Sequence, residues 1–194
     1  GMRIVYELRK EVQAEKVLQS LYQHTQLQTT FGVILLALVD GQPKVLNIKE
    51  MLQAFLDFRH DIVLRRTKFE LDKAEKRAHI LEGLKRALDH IDEIIALIKK
   101  SRNVDTARTA LMKTFRFSEI QAQAILDMRL QRLTGLERKK IEMEYLELIK
   151  QIEKLKSLLA SKDRRMQVVK SELLELKERY AESRKTQIIT KRGH

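Results

Sequence analysis

The chain has 194 residues, of which 43% are hydrophobic and 34% charged, with one proline, no tryptophan and no cysteine. This mixture is typical of long helices and coiled coils, and the lack of cysteine excludes disulfides and thiolate metal sites and fits a reducing cytoplasm. The formal net charge of +12 favours a polyanionic partner such as nucleic acid, the alternative being a basic surface without a ligand. The longest apolar run, residues 33–39, is too short to cross a bilayer, so we expect no membrane segment.

Residues 1–46 are predicted to hold a strand, a helix and a hairpin. Apolar and polar residues alternate over 3–10, which predicts a half-buried strand, and 14–28 carries apolar residues at helical spacing. The turn dipeptide Asp40-Gly41 between two extended runs predicts a hairpin over 33–47. So few strands do not make a self-sufficient sheet, so we expect this segment to complete a neighbouring domain or to lie on the next helix.

Residues 47–100 are predicted to form the first of two long helices. Asn47 is the expected N-cap, and Glu50 three residues later completes a capping box. The apolar seam that follows changes register between Leu81 and Leu84, where we expect either a local disturbance of the supercoil or the point at which the helix leaves it. The earlier seam positions are Ile48, Leu52, Phe55, Ile62, Leu71, Ala74 and Ala78.

Residues 101–136 are too densely apolar for a coiled-coil seam and predict two short helices and a bend, with Ser118 as a helix cap. So short a segment does not bury all its apolar groups by itself. They either pack onto the ends of the long helices or form, in part, a dimer interface, which is the interpretation we favour. The candidate interface residues are Phe115, Phe117, Ile120, Ile125, Met128 and Leu133.

Residues 137–182 repeat apolar residues in a three-four rhythm interrupted only at Lys162, which predicts a second long helix with a kink or local break there. Because a narrow apolar stripe needs a partner face, this helix should return antiparallel to the first, leaving 183–194 as a tail. The predicted fold is therefore mostly α. It is a long antiparallel two-helix coiled coil with a small helical globular tip and a short N-terminal strand and hairpin segment.

The polar residues predict no catalytic or metal site. The five histidines lack metal-ligand spacing, His79 is expected to be a packed or surface residue, and there is no glycine-rich phosphate loop, so we expect no cofactor. Basic residues crowd the first long helix and predict either a solvated face or a wall that contacts duplex DNA weakly and without sequence preference. The candidate wall residues are Arg59, Arg65, Arg66, Lys73 and Arg77.

Five collinear stretches resemble the A subunits of bacterial type IIA topoisomerases. They begin with Leu21-Tyr22 through Phe31-Gly32, followed by Arg65-Arg66-Thr67 with Phe69-Glu70-Leu71, and by residues 77–84 (RAHILEGL). The most specific are residues 121–130 (QAQAILDMRL) and 133–137 (LTGLE). The last of these favours DNA gyrase over topoisomerase IV.

The resemblance implies a bacterial, chromosome-associated protein of the cytoplasm. Residues 1–46 would end the tower domain, the helices would be coiled-coil arms, and 101–136 would be the exit gate at which two copies dimerise. The holoenzyme would add a gyrase B subunit, ATP and Mg²⁺ for DNA supercoiling. The family cleaves DNA with a tyrosine beside an arginine on a winged helix, expected before residue 2. Arg179-Tyr180 repeats that dipeptide, but Tyr180 occupies a seam position and is predicted to pack, so this piece alone should not cleave DNA.

Two other classes of protein remain as alternatives. An architectural coiled-coil arm of chromosome maintenance would need a larger insert between its helices. A nucleic-acid-binding arm of an enzyme such as a tRNA synthetase would bind nucleic acid tightly as an isolated piece, in contrast to the weak DNA binding expected here.

Overall fold

The computed structural model describes residues 3–189 and is mostly helical. The chain divides into two compact units, the first ending at Ala54 and the second beginning at Phe55. The elements in chain order are α1 (Ala14–His24), β1 (Leu35–Val39), β2 (Gln42–Leu46), α2 (Ile48–Asp89), α3 (Ile91–Lys100), α4 (Val104–Phe115), α5 (Glu119–Leu126), a 3₁₀ helix (Leu130–Leu133), α6 (Gly135–Ala160) and α7 (Lys162–Tyr180).

The first unit contains the predicted helix and hairpin. Strands β1 and β2 pair antiparallel, with Leu35 opposite Leu46 and Val39 opposite Gln42. Asp40 and Gly41 both have positive φ angles, 53° and 75°, the geometry of a two-residue turn whose twist matches a hairpin. The strand predicted over 3–10 is wrong. Residues 3–9 form no regular element, because the described sheet holds only β1 and β2 and leaves an alternating segment without a ladder.

The capping box predicted at the start of the first long helix is confirmed. The Asn47 backbone N–H donates to Glu50 Oε2 and the Glu50 N–H donates to Asn47 Oδ1, both at 2.9 Å. Two backbone donors that would otherwise lack a partner at the helix start are thereby satisfied.

The change of apolar register predicts either a disturbed supercoil or the point where the helix leaves it, and α2 runs unbroken through residues 81–84 and ends only at Asp89. Leu81 and Leu84 are both buried, at 0% and 3% exposure, in the core shared with the short helices. The change of apolar register therefore marks where the short helices pack on α2 in addition to α6. The break falls at His90, and the Arg138 guanidinium donates to the Leu88 carbonyl beside it.

The kink or local break predicted near Lys162 is confirmed, since α6 ends at Ala160 and α7 begins at Lys162, with Ser161 as the cap between them. The packing predicted for Tyr180 at the far end of α7 is wrong, because the side chain is 73% exposed. Several other predicted seam residues are also largely exposed, since the described residues place too little surface against them. These are Ile48, Leu52, Phe55 and Leu176.

Candidate functional site

The segment 101–136 forms a helical tip whose core it shares with the long helices. Leu81, Leu84 and Leu88 of α2 pack with Leu111 of α4 and Ile141 of α6. Burying a leucine side chain stabilises a fold by about 1.5–3 kcal/mol, so this cluster fixes the tip on both α2 and the returning α6. The other buried members are Ala87, Ile94, Phe117, Ala122 and Ile125.

Two of the candidate interface residues lie in that core and not on the surface. Phe117 and Ile125 are 4% and 3% exposed within one chain, where they support the tip from the core. Ile120, five residues before Ile125 and on a different face of α5, is 61% exposed. The remaining three candidates, Phe115, Met128 and Leu133, are half-buried at the edge of the core.

Helices α2 and α5 interlock around Gly83. A Cβ atom added at Gly83 would lie 2.7 Å from Gln121 Cγ and 2.8 Å from Gln121 Cβ, so no other residue fits without moving α5. The Gln121 amide donates to the His79 carbonyl at 2.8 Å, and Ser118 Oγ lies 2.7 Å from His79 Nε2. Ser118 and Gln121 also form the capping box of α5, which confirms the predicted cap and makes His79 a surface residue that positions α5.

The loop between α4 and α5 is fastened to α2 by one arginine. Arg116 adopts a left-handed conformation, with φ of 54°, which turns the chain from α4 towards α5. The Arg86 guanidinium donates to the Phe115 carbonyl at 2.7 Å and lies 4.9 Å from the centre of the Phe117 ring. The Phe115 and Phe117 rings stack with centres 5.9 Å apart. The sequence patterns did not single out Arg86. The one indication they offer is that Arg86 follows Gly83 by one helical turn.

Four of the five candidate wall residues are engaged in ion pairs. Arg59 and Arg66 of α2 both contact the Glu172 carboxylate of α7, and Arg77 donates twice to Glu144 of α6, at 2.7 and 3.1 Å. Arg65 pairs with Asp61 one turn away. Lys73 is exposed and has no ion pair within residues 3–189. Most of the wall therefore connects helices and carries less free positive charge than the sequence indicates.

Comparison with known proteins identifies the family. A family model described as the DNA gyrase/topoisomerase IV A subunit matches residues 1–174. The chain belongs to this family. It is 58% identical to the DNA gyrase A subunit of Halalkalibacterium halodurans and 54% identical to that of Clostridium acetobutylicum, covering 97% of this chain and 23% of each relative. The Staphylococcus aureus protein of the same name is 50% identical over 97% of this chain and 21% of its own length.

Membership of the gyrase A family confirms the resemblance and displaces the two alternative classes. The chain spans about a quarter of the length of these relatives. Two of the stretches that carry the resemblance, residues 77–84 and 121–130, are the two sides of the Gly83–Gln121 interlock. The packing of α5 on α2 therefore gives a physical reason for the glycine and glutamine in these stretches.

Within the described part of this gyrase A family chain, no group of histidine or acidic side chains is arranged to hold a metal ion. None of the helices over residues 3–189 combines the length and apolarity that crossing a bilayer requires.

The joint between α6 and α7 is held by Arg165. Its Nη1 donates to the Leu158 carbonyl at 3.0 Å and to the Leu159 carbonyl, and its Nε donates to His60 Nε2 at 3.0 Å. Both carbonyls lie in the last turn of α6, where the helix supplies no backbone donors. Arg165 therefore satisfies the end of α6 and ties the joint to α2.

Replacing Arg165 with alanine should lower the free energy of unfolding by about 1–3 kcal/mol, because three hydrogen bonds are lost and two carbonyls are left without this donor. Urea unfolding followed by circular dichroism measures the change. The matched control is Arg164→Ala, which removes an exposed guanidinium next to it and should change the free energy by less than about 0.5 kcal/mol. Equal losses in the two variants would contradict this role for Arg165.

Proposed function

We propose that this chain is the part of a DNA gyrase A subunit that forms the coiled-coil arms and the exit gate. The observation that carries the proposal is the position of Ile120 in a chain of this family. Its side chain is 61% exposed on α5, while Ala122 and Ile125 of the same short helix are 0% and 3% exposed in the core. One exposed apolar residue is common on protein surfaces, so the proposal depends on Ile120 together with the half-buried Phe115, Met128 and Leu133 and on the family of the chain.

The proposed interface is narrower than the one predicted from the sequence. Ile120 forms its exposed part, with half-buried Met128, Leu133 and Phe115 beside the core. Phe117 and Ile125 hold this surface in place from the core. A second copy of the chain would present the same residues across a two-fold axis, as closed homodimers do.

Ion pairs between α2 and the returning helices support the role of a stiff arm in this proposal. Lys85 of α2 lies 3.4 Å from Glu142, and Glu75 of α2 lies 2.8 Å from Lys156, both on α6. The pairs of Arg77 with Glu144 and of Arg59 with Glu172 continue the connection. Each exposed pair contributes little alone, but several along one helix pair fix its register.

In this proposal the role of the chain in DNA supercoiling is mechanical. Two tips stay closed while the DNA gate opens and then separate to release the transported duplex. A gyrase B subunit, ATP and Mg²⁺ act elsewhere in the cytoplasmic holoenzyme. The chain by itself does not cleave DNA, since Tyr180 ends a long helix next to the paired Arg179. Contact of the wall with DNA is weak and non-specific, because its cations are mostly paired.

The interface is tested by sedimentation equilibrium of the chain and of Ile120→Asp. Burying an unpaired carboxylate at a closed interface costs several kcal/mol, so the dimer dissociation constant should rise by about 100-fold or more. Because Ile120 is exposed within the chain, the helical content should not change.

The matched control is Leu174→Asp, which makes the same kind of change at a 53% exposed leucine of α7. This variant should dimerise like the parent chain. Met128→Asp probes the half-buried edge of the same surface. If Ile120→Asp and Met128→Asp both dimerise as tightly as the parent chain, the proposed interface is wrong.

A further inference from the structure

A cleft of about 870 Å³ opens at the base of the tip between α2, the end of α5, the 3₁₀ helix and the start of α6. This volume lies in the range of small-molecule sites. Its apolar part consists of Ile80, Leu84, Ala124 and Met128. Its polar part includes three arginines and two carboxylates, which are Arg77, Arg129, Arg132, Asp127 and Glu137.

The carboxylates of the cleft are already satisfied by other groups. Asp127 Oδ1 accepts from the Gln123 amide at 3.0 Å, and Glu137 Oε1 pairs with Lys140 at 2.7 Å. Arg77 is likewise held by its two bonds to Glu144. The Gln123 amide leaves the negative charge of Asp127 in place, so the charged groups of the cleft without a charged partner are Arg129, Arg132 and Asp127, whose charges sum to one positive charge.

Arg129 and Arg132 have no ion pair or side-chain hydrogen bond to any residue between 3 and 189. Their backbones are fixed to each other, because the Arg132 N–H donates to the Arg129 carbonyl at 2.9 Å where the 3₁₀ helix starts. Both guanidinium groups therefore belong to one short segment that lines the cleft, and each offers several N–H donors. Guanidinium forks match the paired oxygens of phosphate, and each additional fork adds both strength and geometric selectivity.

We propose that this cleft is a phosphate-binding site whose ligands are Arg129 and Arg132. Its chemistry suits the phosphate oxygens of a DNA backbone and equally those of a free di- or triphosphate, with the apolar part facing the non-phosphate portion. The site goes beyond the arm and gate assignment, because its phosphate ligands Arg129 and Arg132 are not residues of the proposed interface, although Met128 belongs to both. The unpaired arginines of this site lie at the base of the tip, whereas most cations of the wall on α2 are paired.

The test compares the chain with a double variant, Arg129→Gln with Arg132→Gln. The matched control, Lys150→Gln with Lys154→Gln, removes the same charge from exposed lysines of α6 that have no ion pair among the described residues and lie outside the cleft. Calorimetric titration with inorganic pyrophosphate at low salt should show binding that the cleft variant weakens about tenfold or more. The control should bind within about twofold of the parent chain, because it leaves the guanidinium forks in place.

Titration with a short DNA duplex over a range of salt concentrations then distinguishes the two sources of phosphate. If duplex phosphates occupy the cleft, removing two contacts should lower the slope of log K against log salt by about 2. Loss of pyrophosphate binding with an unchanged duplex slope would assign the cleft to a free phosphate compound. Equal losses in the cleft and control variants, or no pyrophosphate binding by the parent chain, would overturn the proposal. Sedimentation of the same variants reports separately on the dimer.

Discussion

Truncating Leu111 to alanine is expected to lower the free energy of unfolding by about 2–5 kcal/mol, the largest loss expected from a single substitution in the tip. The Leu111 side chain is 0% exposed and belongs to the core that joins α4 to α2, α3, α5 and α6. Its removal costs the transfer free energy of the lost atoms and leaves a cavity, because the surrounding helices are tied by caps and ion pairs and do not close it. Urea unfolding followed by circular dichroism gives the difference.

The matched control for Leu111 is Val104→Ala on the same helix. Val104 is 59% exposed in the first turn of α4, so the loss of its methyl groups should change the free energy by less than about 0.5 kcal/mol. If Leu111→Ala were as mild as Val104→Ala, the tip would not be held by the core described for it.

Gly83→Ala is expected to destabilise the chain by about 1–3 kcal/mol, although alanine is the better helix former. The new Cβ would meet Gln121 Cβ and Cγ at 2.8 and 2.7 Å, and neither atom is the free end of a side chain. Relief requires α5 to move away from α2, which weakens the bond from the Gln121 amide to the His79 carbonyl. The midpoint and slope of urea unfolding measure the loss.

Gly135→Ala is the matched control for Gly83, because no atom lies within 4 Å of the added Cβ at the start of α6. That substitution should be neutral or stabilising by up to about 1 kcal/mol, since it removes backbone freedom from the unfolded chain. The clash is isolated by repeating Gly83→Ala in a Gln121→Gly background, where the penalty should shrink by at least half if it comes from Gln121. An unchanged penalty would place its cause elsewhere.

Short stretches of neighbouring residues predict several local features of the fold. Asn47 with Glu50, Ser118, and Asp40-Gly41 predict two caps and a turn, and the structure has all three. The interruption at Lys162 likewise marks a real joint. These features depend on bonds within a few residues of the chain, so neighbouring residue types are enough to predict them.

Sequence patterns do not predict which residues distant in the chain pair with each other. Residues 3–9 alternate like a strand, yet a strand exists only where another strand supplies its hydrogen bonds. The change of register after Leu81 predicts either a disturbed supercoil or the point where the helix leaves it, but it does not show which short helices pack on the unbroken α2 there. Tyr180 keeps the seam rhythm and still lies exposed, because periodicity does not say where the partner surface ends.

The sequence by itself determined the family, the helical architecture and the position of the tip, because motifs, caps and apolar periodicity are properties of short stretches. Tertiary structure decided which charges and apolar groups remain available. It buried Phe117 and Ile125, left Ile120 exposed, and paired Arg77 with Glu144 while leaving Arg129 and Arg132 without partners among the described residues. Burial and ion pairing depend on residues from different helices meeting in space, and no local pattern records which residues meet.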